Sequence, residues 1–313
     1  MVEKKTKSVT NRKRGRDWLT TPDGQPRGYI QPDKLTELWF HTGTRCNLGC
    51  SFCLEGSGPK ADRLDFINLD DARPFIDEAV ELGVSQFSFT GGEPFHNPHF
   101  VEVLEYALDR RRCLVLTNAT RPIRLQWDRV TALASKPNPL QFRVSLDHPN
   151  PEKHDEIRGQ GNFIAALKAA GRMHELGFGV SIARHNGEPA DSKEEIDRAF
   201  LPFFDEVGLP HATRIVSFPE LHRPGDRPEV PQITENCMTT YKTESDRAAF
   251  MCNFSKMVVK IHGRMAVYAC TLVDDDPDYE LGESLSEAMK ARVMLRHHRC
   301  FACFSAGASC SEM

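Results

Sequence analysis

Short apolar runs alternate with longer amphipathic stretches over the first two thirds of the chain. The apolar runs predict six β-strands, at residues 35–40, 87–90, 113–117, 142–146, 180–183 and 213–217. Between them apolar residues recur three or four positions apart, as in Phe100, Leu104 and Leu108, which is typical of helices that pack on one face. Repeated strand–helix units predict a parallel sheet, because right-handed crossovers curl it one way. The predicted fold class is α/β, with a partial (β/α)6 TIM-like barrel.

The last third of the chain lacks this alternation. Residues 219–250 are rich in Pro, Glu and Thr and predict a linker with a short helix. Beyond them, apolar residues at 257–261 and 265–268 flank a turn and predict a β-hairpin, and a helix is predicted over 285–295. The chain is expected to divide into a flexible basic extension (1–34), a barrel core (35–218), a linker (219–251) and a small α+β unit (252–313).

Composition limits the kind of protein this is. The 313 residues carry a net charge of −4 and are 40% hydrophobic, which allows a sizeable core and gives no global attraction to nucleic acid or membrane. The chain lacks a run of membrane-spanning length and an apolar N-terminal signal, so a cytoplasmic protein is expected. The basic residues within 1–16 are expected to form a solvated tail rather than an arm for an acidic partner. Ten cysteines in such a chain favour metal binding or catalysis over disulfides.

Three cysteines fall in one loop directly after the first predicted strand. Cys46, Cys50 and Cys53 have the spacing C-x3-C-x2-C. Thiolates are soft ligands for iron–sulfur clusters, zinc or copper, and a structural zinc site takes four closed ligands where this loop supplies three. A [4Fe–4S] cluster on three thiolates keeps one iron open to bind a ligand, and this is the favoured occupant. A zinc knuckle or a redox pair is the alternative.

A second motif, Gly91-Gly92-Glu93-Pro94, follows the second predicted strand. Two glycines allow the backbone to approach a ligand closely, and the Glu93 carboxylate can accept hydrogen bonds from an ammonium group. Taken alone, this stretch is also compatible with an ordinary turn. Its position at a strand end agrees with the place where barrels of this type collect their chemistry.

The cysteine loop, with Phe52 before its last cysteine, and the Gly-Gly-Glu-Pro turn together resemble the radical S-adenosylmethionine (SAM) superfamily. The resemblance implies that the open iron chelates the methionine part of SAM and that Phe52 lies near the adenine. It also implies that Gly91, Gly92 and Glu93 hold the amino group of SAM.

Further segments at predicted strand ends are similar to the same family. They add five candidates for SAM binding: Asn118, Ser145, Asp147, Arg158 and Ile182. The resemblance implies that Ser145 and Asp147 meet the ribose and carboxylate of SAM, and that Ile182 presents its backbone to the adenine. Arg158 is expected either to clamp the SAM carboxylate or to form an ion pair with Asp155.

The C-terminal unit carries four more cysteines: Cys252, Cys270, Cys300 and Cys303. Four thiolates from separated elements make a closed site for zinc or for a second [4Fe–4S] cluster. The arrangement resembles the Twitch domain of radical SAM enzymes, the shortened form of the SPASM domain, although Gly263 lies further from Cys270 than the SPASM pattern has it. Cys310 is either a spare thiol or an alternative fourth ligand. The acidic residues 274–276 are expected to form a solvated loop.

The resemblance implies an enzyme that reductively cleaves SAM to a 5′-deoxyadenosyl radical and takes an electron from a donor such as a flavodoxin or ferredoxin. An auxiliary cluster favours net oxidation, hence an oxidoreductase. A small organic substrate of a biosynthetic pathway is expected, because the 34 residues ahead of the barrel are too few for a peptide-recognition domain. The alternatives are a maturase that modifies a peptide or protein residue and, in another class, a non-catalytic zinc- or nucleic-acid-binding module. The sequence does not identify the catalytic residue that faces the substrate.

Overall fold

The computed structural model describes residues 17–185, 193–218 and 222–307. Its strands are β1 (Tyr29–Ile30), β2 (Glu37–His41), β3 (Gln86–Thr90), β4 (Arg112–Thr117), β5 (Leu140–Ser145), β6 (Gly179–His185), β7 (Ile215–Phe218), β8 (Ser255–Ile261), β9 (Arg264–Tyr268) and β10 (Val293–Met294). Its helices are α1 (Leu69–Glu81), α2 (Phe100–Leu108), α3 (Arg121–Arg124), α4 (Trp127–Ala132), α5 (Pro151–Arg158), α6 (Asn162–Glu175), α7 (Lys193–Arg198), α8 (Leu201–Val207), α9 (Glu235–Thr240), α10 (Glu244–Ala248), α11 (Met251–Phe254), α12 (Leu285–Ala288) and α13 (His298–Ala306).

Eight of the strands form one sheet, in the order β7-β6-β5-β4-β3-β2-β8-β9. Strands β2 to β7 run parallel to one another, as the alternation of strands and helices predicts. In the described part of the chain β7 and β9 are the edges, so the sheet is an open, partial barrel. The predicted α/β fold class is confirmed.

The C-terminal hairpin continues this sheet. Strand β8 pairs in parallel with β2, with Glu37 opposite Ser255 and Phe40 opposite Val258, and β9 pairs antiparallel with β8. Strand β2 therefore has a neighbour on each side, and all five of its residues are buried.

Aromatic side chains pack the helices onto the sheet. The ring of Phe40 stacks on Phe89 with centroids 5.6 Å apart, and Phe89 meets Phe100 of α2 edge to face at 5.4 Å. All three are fully buried. Burying such a side chain contributes about 1.5–3 kcal/mol, and each aromatic pair adds about 0.5–1.5 kcal/mol. This layer fixes the strands whose carboxyl ends carry the candidate motifs.

The helix predicted over 285–295 is wrong beyond Ala288. The chain turns there and Val293–Met294 pairs as β10 with β1, with Tyr29 opposite Met294. The buried hydroxyl of Tyr279 explains the extended conformation, because it donates to the Met294 carbonyl at 2.7 Å and accepts the N–H groups of Arg296 and His297. Of the described helices, none has the length and apolarity needed to cross a membrane.

Candidate functional site

A cavity of about 190 Å³ opens at the carboxyl ends of the parallel strands. Most of the predicted site residues line it: Cys46, Cys50, Phe52, Cys53, Gly91, Gly92, Asn118, Ser145, Asp147 and Arg158. Glu93 and Ile182 are buried, with exposed fractions of 1% and 0%, and do not line the cavity, although Ala183 next to Ile182 does. The fold therefore gathers residues from the loop after β2, the ends of β3, β4 and β5, and the last residue of α5 into one site.

The cysteine loop presents its sulfur atoms to backbone donors. The N–H of Leu48 donates to Cys46 Sγ at 3.3 Å, and the N–H of Ser57 donates to Cys53 Sγ at 3.3 Å. Burial, aided by the negative charge of Glu93, raises the pKa of the Cys46 thiol to about 12. A thiol with this pKa becomes a thiolate at neutral pH only when it binds a metal.

The spacing of the sulfur atoms disfavours zinc. Within the described ranges, neither cysteine set brings three sulfur atoms within 4.8 Å of one another. A zinc tetrahedron with Zn–S bonds of about 2.3 Å holds its sulfur atoms about 3.8 Å apart. The sulfur atoms of the loop are thus less tightly grouped than those of a zinc site. This spacing and the two N–H donors suit a cluster whose thiolates bind separate iron atoms.

Gly91 and Gly92 allow close backbone packing against the cysteine loop. The Gly92 N–H donates to the Gly43 carbonyl at 2.9 Å, and a Cβ atom on Gly92 would lie 2.3 Å from the carbonyl oxygen of Arg45. Gly91 has φ +139°, and a Cβ atom on it would lie 2.8 Å from the carbonyl oxygen of Gly43. The turn after β3 therefore packs backbone to backbone against the loop that carries Cys46.

The Glu93 carboxylate joins the turn after β3 to the end of β4. Its oxygens accept the Thr117 hydroxyl at 2.8 Å, the Asn118 N–H at 2.8 Å and the Phe95 N–H at 3.2 Å. Burial raises the pKa of Glu93 to about 7, and these hydrogen bonds oppose the shift. Glu93 thus lies one layer behind the cavity wall, against the residues that form it.

Asn118 links the end of β4 to the cysteine loop. Its side-chain amide donates to Cys46 Sγ at 3.6 Å and to Asn47 Oδ1 at 3.1 Å, and its own Oδ1 accepts the Thr120 N–H at 3.0 Å. The residue is 6% exposed and lines the cavity. It therefore fixes the first cysteine as well as forming part of the wall.

Arg158 pairs with Asp147 rather than with Asp155. Its guanidinium donates to both carboxylate oxygens of Asp147, with NH2 3.1 Å from Oδ1, and it lies 5.7 Å from the ring centroid of Phe52. Asp155 instead accepts the N–H groups of Gly161 and Phe163. The ion pair with Asp155 that the sequence allowed is wrong, because that carboxylate caps the start of α6.

The four cysteines of the C-terminal unit line a second, smaller cavity. They come from α11, from the segment after β9 and from α13: Cys252, Cys270, Cys300 and Cys303. Burial raises the pKa of Cys252 to about 11 and that of Cys300 to about 12, so these thiols also become thiolates only with a metal. Cys310 lies outside the described residues.

A partly buried polar cluster beside the cysteine loop was not predicted from the sequence. The Gly43 N–H donates to His41 Nδ1 at 3.1 Å, which leaves Nε2 to donate to Glu55 Oε2 at 3.0 Å. Arg63 donates to Asp274 Oδ2 at 3.0 Å and lies 3.8 Å from Glu55. The expectation that Asp274 belongs to a solvated loop is wrong, because this residue is 3% exposed. Its partner Arg63 is 211 positions away, a pairing with no local sequence signal.

Comparison with known proteins identifies the family. The profile of the radical SAM superfamily matches residues 40–201. AlbA of Bacillus subtilis, the antilisterial bacteriocin subtilosin biosynthesis protein, is 30% identical over 146 residues, which cover 46% of this chain and 32% of AlbA. The mycofactocin maturase MftC of Mycobacterium tuberculosis is 33% identical over 159 residues, 50% of this chain and 38% of MftC.

Among solved structures, Streptococcus suis SuiB bound to the precursor peptide SuiA superposes with a TM-score of 0.59 at 15% identity. The match covers 82% of this chain and 65% of SuiB. The chain thus spans well under half of the two curated relatives and shares its fold with SuiB. Since the superfamily profile covers more than half of the chain, this protein belongs to the radical SAM superfamily.

Proposed function

We propose that this protein binds a [4Fe–4S] cluster and SAM in the cavity at the carboxyl ends of the parallel strands. It would use them to abstract a hydrogen atom from a peptide substrate. The observation that carries the proposal is the convergence on one cavity wall of the three loop cysteines with candidate SAM-binding residues from four other segments. The wider spread of the loop sulfur atoms supports a cluster rather than zinc at Cys46, Cys50 and Cys53.

The chain's own residues would hold and shield these groups. When bound, a cluster on the loop would supply the electron for the reductive cleavage of SAM that precedes hydrogen abstraction from the substrate. The N–H groups of Leu48 and Ser57 stabilise charge on the sulfur atoms, and the Asp147–Arg158 pair offers charged groups to the polar parts of SAM. Apolar side chains complete the wall and exclude water: Leu48, Leu54, Leu116, Phe218 and Leu272.

A peptide is the better supported substrate. A bacteriocin biosynthesis protein and a maturase are among the relatives at 30% identity or more, and SuiB, which shares the fold, is bound to a precursor peptide. This departs from the small-molecule substrate expected from the sequence and favours the maturase alternative.

The C-terminal cysteines are proposed to hold a second [4Fe–4S] cluster in a Twitch-like unit. Four thiols around one cavity form a closed set, and no three of the described sulfur atoms have the short spacing of a zinc site. After hydrogen abstraction, the substrate radical would lose a proton and pass one electron to this cluster. The substrate is then oxidised by two electrons in total, which supports an oxidoreductase assignment.

The test measures SAM cleavage in anaerobic holoenzyme supplied with reduced flavodoxin. Short peptides encoded beside the gene are added one at a time, each deuterated at its side chains. The expected result is peptide-dependent formation of 5′-deoxyadenosine that carries deuterium from the peptide, absent in a Cys46→Ala control. Stimulation by a small-metabolite fraction, with no response to any peptide, would overturn the peptide assignment.

A further inference from the structure

Two cations are buried in the C-terminal unit and donate to backbone carbonyls instead of to a carboxylate. Lys256 has 0% exposure and Arg299 has 2%. Lys256 Nζ donates to the carbonyls of Cys252 at 2.8 Å and Ser255 at 2.9 Å. Arg299 donates to the carbonyls of Leu54, His222 and Leu272. Within residues 17–185, 193–218 and 222–307, neither cation has a carboxylate oxygen within 4.0 Å, and only Arg299 has carboxylates, Glu55 and Asp275, that act on it electrostatically at longer range.

Two other cations nearby form ion pairs with carboxylates. Lys260, four positions along β8 from Lys256, lies 2.7 Å from Asp71 Oδ2. Arg296, three positions before Arg299, pairs with Asp276 at 2.5 Å and with Asp278 at 3.0 Å. Buried charges in proteins are normally in direct ion pairs or bound to a metal centre, so two buried cations without a direct partner favour a further anionic group close to both.

The neighbour common to both cations is the four-cysteine cavity. Lys256 interacts electrostatically with the thiols of Cys252 and Cys270. Arg299 directly precedes Cys300 and lines the cavity, and its acceptor Leu272 lies two residues after Cys270. As neutral thiols, these cysteines offer the cations no counter-charge.

We propose that Lys256 and Arg299 are built-in counter-charges for a doubly negative metal centre on Cys252, Cys270, Cys300 and Cys303. Four thiolates around a doubly positive core, whether Zn²⁺ or an oxidised cubane, carry two net negative charges, and two cations neutralise them. The inference rests on the proposed second metal centre and adds the residues that set its charge. The same two cations would stabilise the additional negative charge of a reduced cluster. They would therefore also raise the reduction potential of the cluster.

Arg299 has a second role that Lys256 lacks. Its guanidinium donates to the carbonyl of Leu54, the residue after Cys53, at 3.0 Å, and it lines both cavities. It therefore fixes the C-terminal centre against the loop that carries the first three cysteines. Because Arg299 lines both cavities, its charge lies between the proposed first cluster and the proposed second metal centre.

The experiment compares Lys256→Met and Arg299→Met with two matched controls, Lys260→Met and Arg296→Met, in reconstituted full-length protein. Iron and zinc are counted per chain, and metal loss to a chelator is followed with time. Supporting residues around metal sites contribute roughly 10- to 100-fold in affinity, and we expect metal loss from the C-terminal centre to accelerate by this factor in the first two variants. The controls remove cations that already have carboxylate partners, and they should match the wild type.

The charge-preserving variants Lys256→Arg and Arg299→Lys separate charge from shape. Recovery of metal retention in these variants supports the proposal, and equal loss in Arg299→Lys and Arg299→Met overturns it. For an iron centre, the Met variants should also lower the one-electron reduction potential by at least about 59 mV, a tenfold change in the equilibrium constant. Circular dichroism and the melting temperature report that each variant is folded.

Two further outcomes distinguish this inference from the proposed function. Zinc in the wild-type C-terminal set would refute the second iron–sulfur cluster, while the chelator measurement still decides the role of the cations. Met variants that retain metal and potential like the wild type would overturn the counter-charge role and leave the second cluster intact. A wild type that binds no metal at these cysteines would overturn both.

Discussion

The backbone N–H of Asn118 donates to Glu93 Oε2 at 2.8 Å, so a single carboxylate holds the end of β4 against the turn after β3. Asn118 in turn donates to Cys46 Sγ. Glu93, behind the cavity wall, thus helps to position Asn118 in the wall and, through Asn118, the first cysteine of the loop.

Replacement of Glu93 by Ala should weaken both SAM binding and the fold. Two neighbours, the Asn118 N–H and the Thr117 hydroxyl, lose a charged acceptor, and such hydrogen bonds contribute about 1.5–3 kcal/mol each. We expect SAM affinity to fall roughly tenfold or more, measured by calorimetry on reconstituted protein, with a lower melting temperature. A lower melting temperature with unchanged SAM affinity would show that Glu93 organises the strand ends without acting on SAM.

Anaerobically reconstituted protein should contain about eight iron atoms per chain, as two four-iron clusters. Replacing Cys46, Cys50 and Cys53 together by Ala should halve the iron and abolish reductive formation of 5′-deoxyadenosine, because the iron that binds SAM is lost. Iron and sulfide analysis together with chromatography of the nucleoside checks both. About four irons in the wild type, or zinc in the C-terminal set, would contradict the count.

Removing the C-terminal pair separates the two sites. Cys300→Ala with Cys303→Ala should keep SAM cleavage in the absence of substrate and lose finished product, because the substrate radical has no electron acceptor. Circular dichroism must accompany the assay, since metal loss can loosen the whole unit. Normal product formation by folded protein that lacks the second cluster would rule out the electron-acceptor role.

The contact between Gly92 and the cysteine loop predicts a specific defect. A Cβ on Gly92 would lie 2.3 Å from the Arg45 carbonyl oxygen, so Gly92→Ala must displace the loop and lower the iron content of the first cluster. Gly49, in the same loop, is a matched control, since a Cβ there meets nothing within 4 Å. Equal iron content in Gly92→Ala and Gly49→Ala would show that the loop tolerates the clash.

His154 predicts an acid-sensitive contribution to stability. Burial lowers its pKa from 6.5 to about 4, and Nδ1 accepts the Asp147 N–H at 3.1 Å. Between these pH values the unfolded chain binds a proton that the folded chain does not, so stability is lost as pH falls from 6.5 towards 4. The loss is on the order of 3 kcal/mol.

Urea unfolding of the wild type, His154→Gln and His211→Gln at several pH values isolates this effect. His154→Gln should flatten the dependence, while His211, with a side chain 58% exposed, should leave it unchanged. Acid loss of the clusters is common to all three proteins and cancels in the comparison. Parallel curves for the wild type and His154→Gln would assign the acid sensitivity to other groups.

Local features were predictable because their signals lie within a few residues. The apolar runs fixed each barrel strand to within two residues at either end, and the motifs placed the loop cysteines and glycines on one cavity. Long-range pairing had no such signal. The burial of Asp274 depends on Arg63, and the choice of Asp147 over Asp155 by Arg158 depends on where α5 meets the end of β5.

The C-terminal unit shows the same limit at larger scale. Apolar side chains at Val293 and Leu295 fit either a helix or a strand, and the deciding contact, the Tyr279 hydroxyl, comes from another segment. The hairpin itself was predicted from the two apolar runs that flank its turn. The pairing of β8 with β2 was not predicted, because the sequence of a strand does not indicate which other strand it pairs with.

This pairing bears on how the protein is made. Strand β2 leaves the ribosome early, yet its partner Ser255 follows 218 positions after Glu37. At synthesis rates of roughly 5–20 residues per second, the edge of β2 stays open for on the order of ten to forty seconds. Such an edge pairs readily with other chains. We therefore expect fragments that stop before β8 to expose the edge of β2 and to aggregate more than the full-length protein.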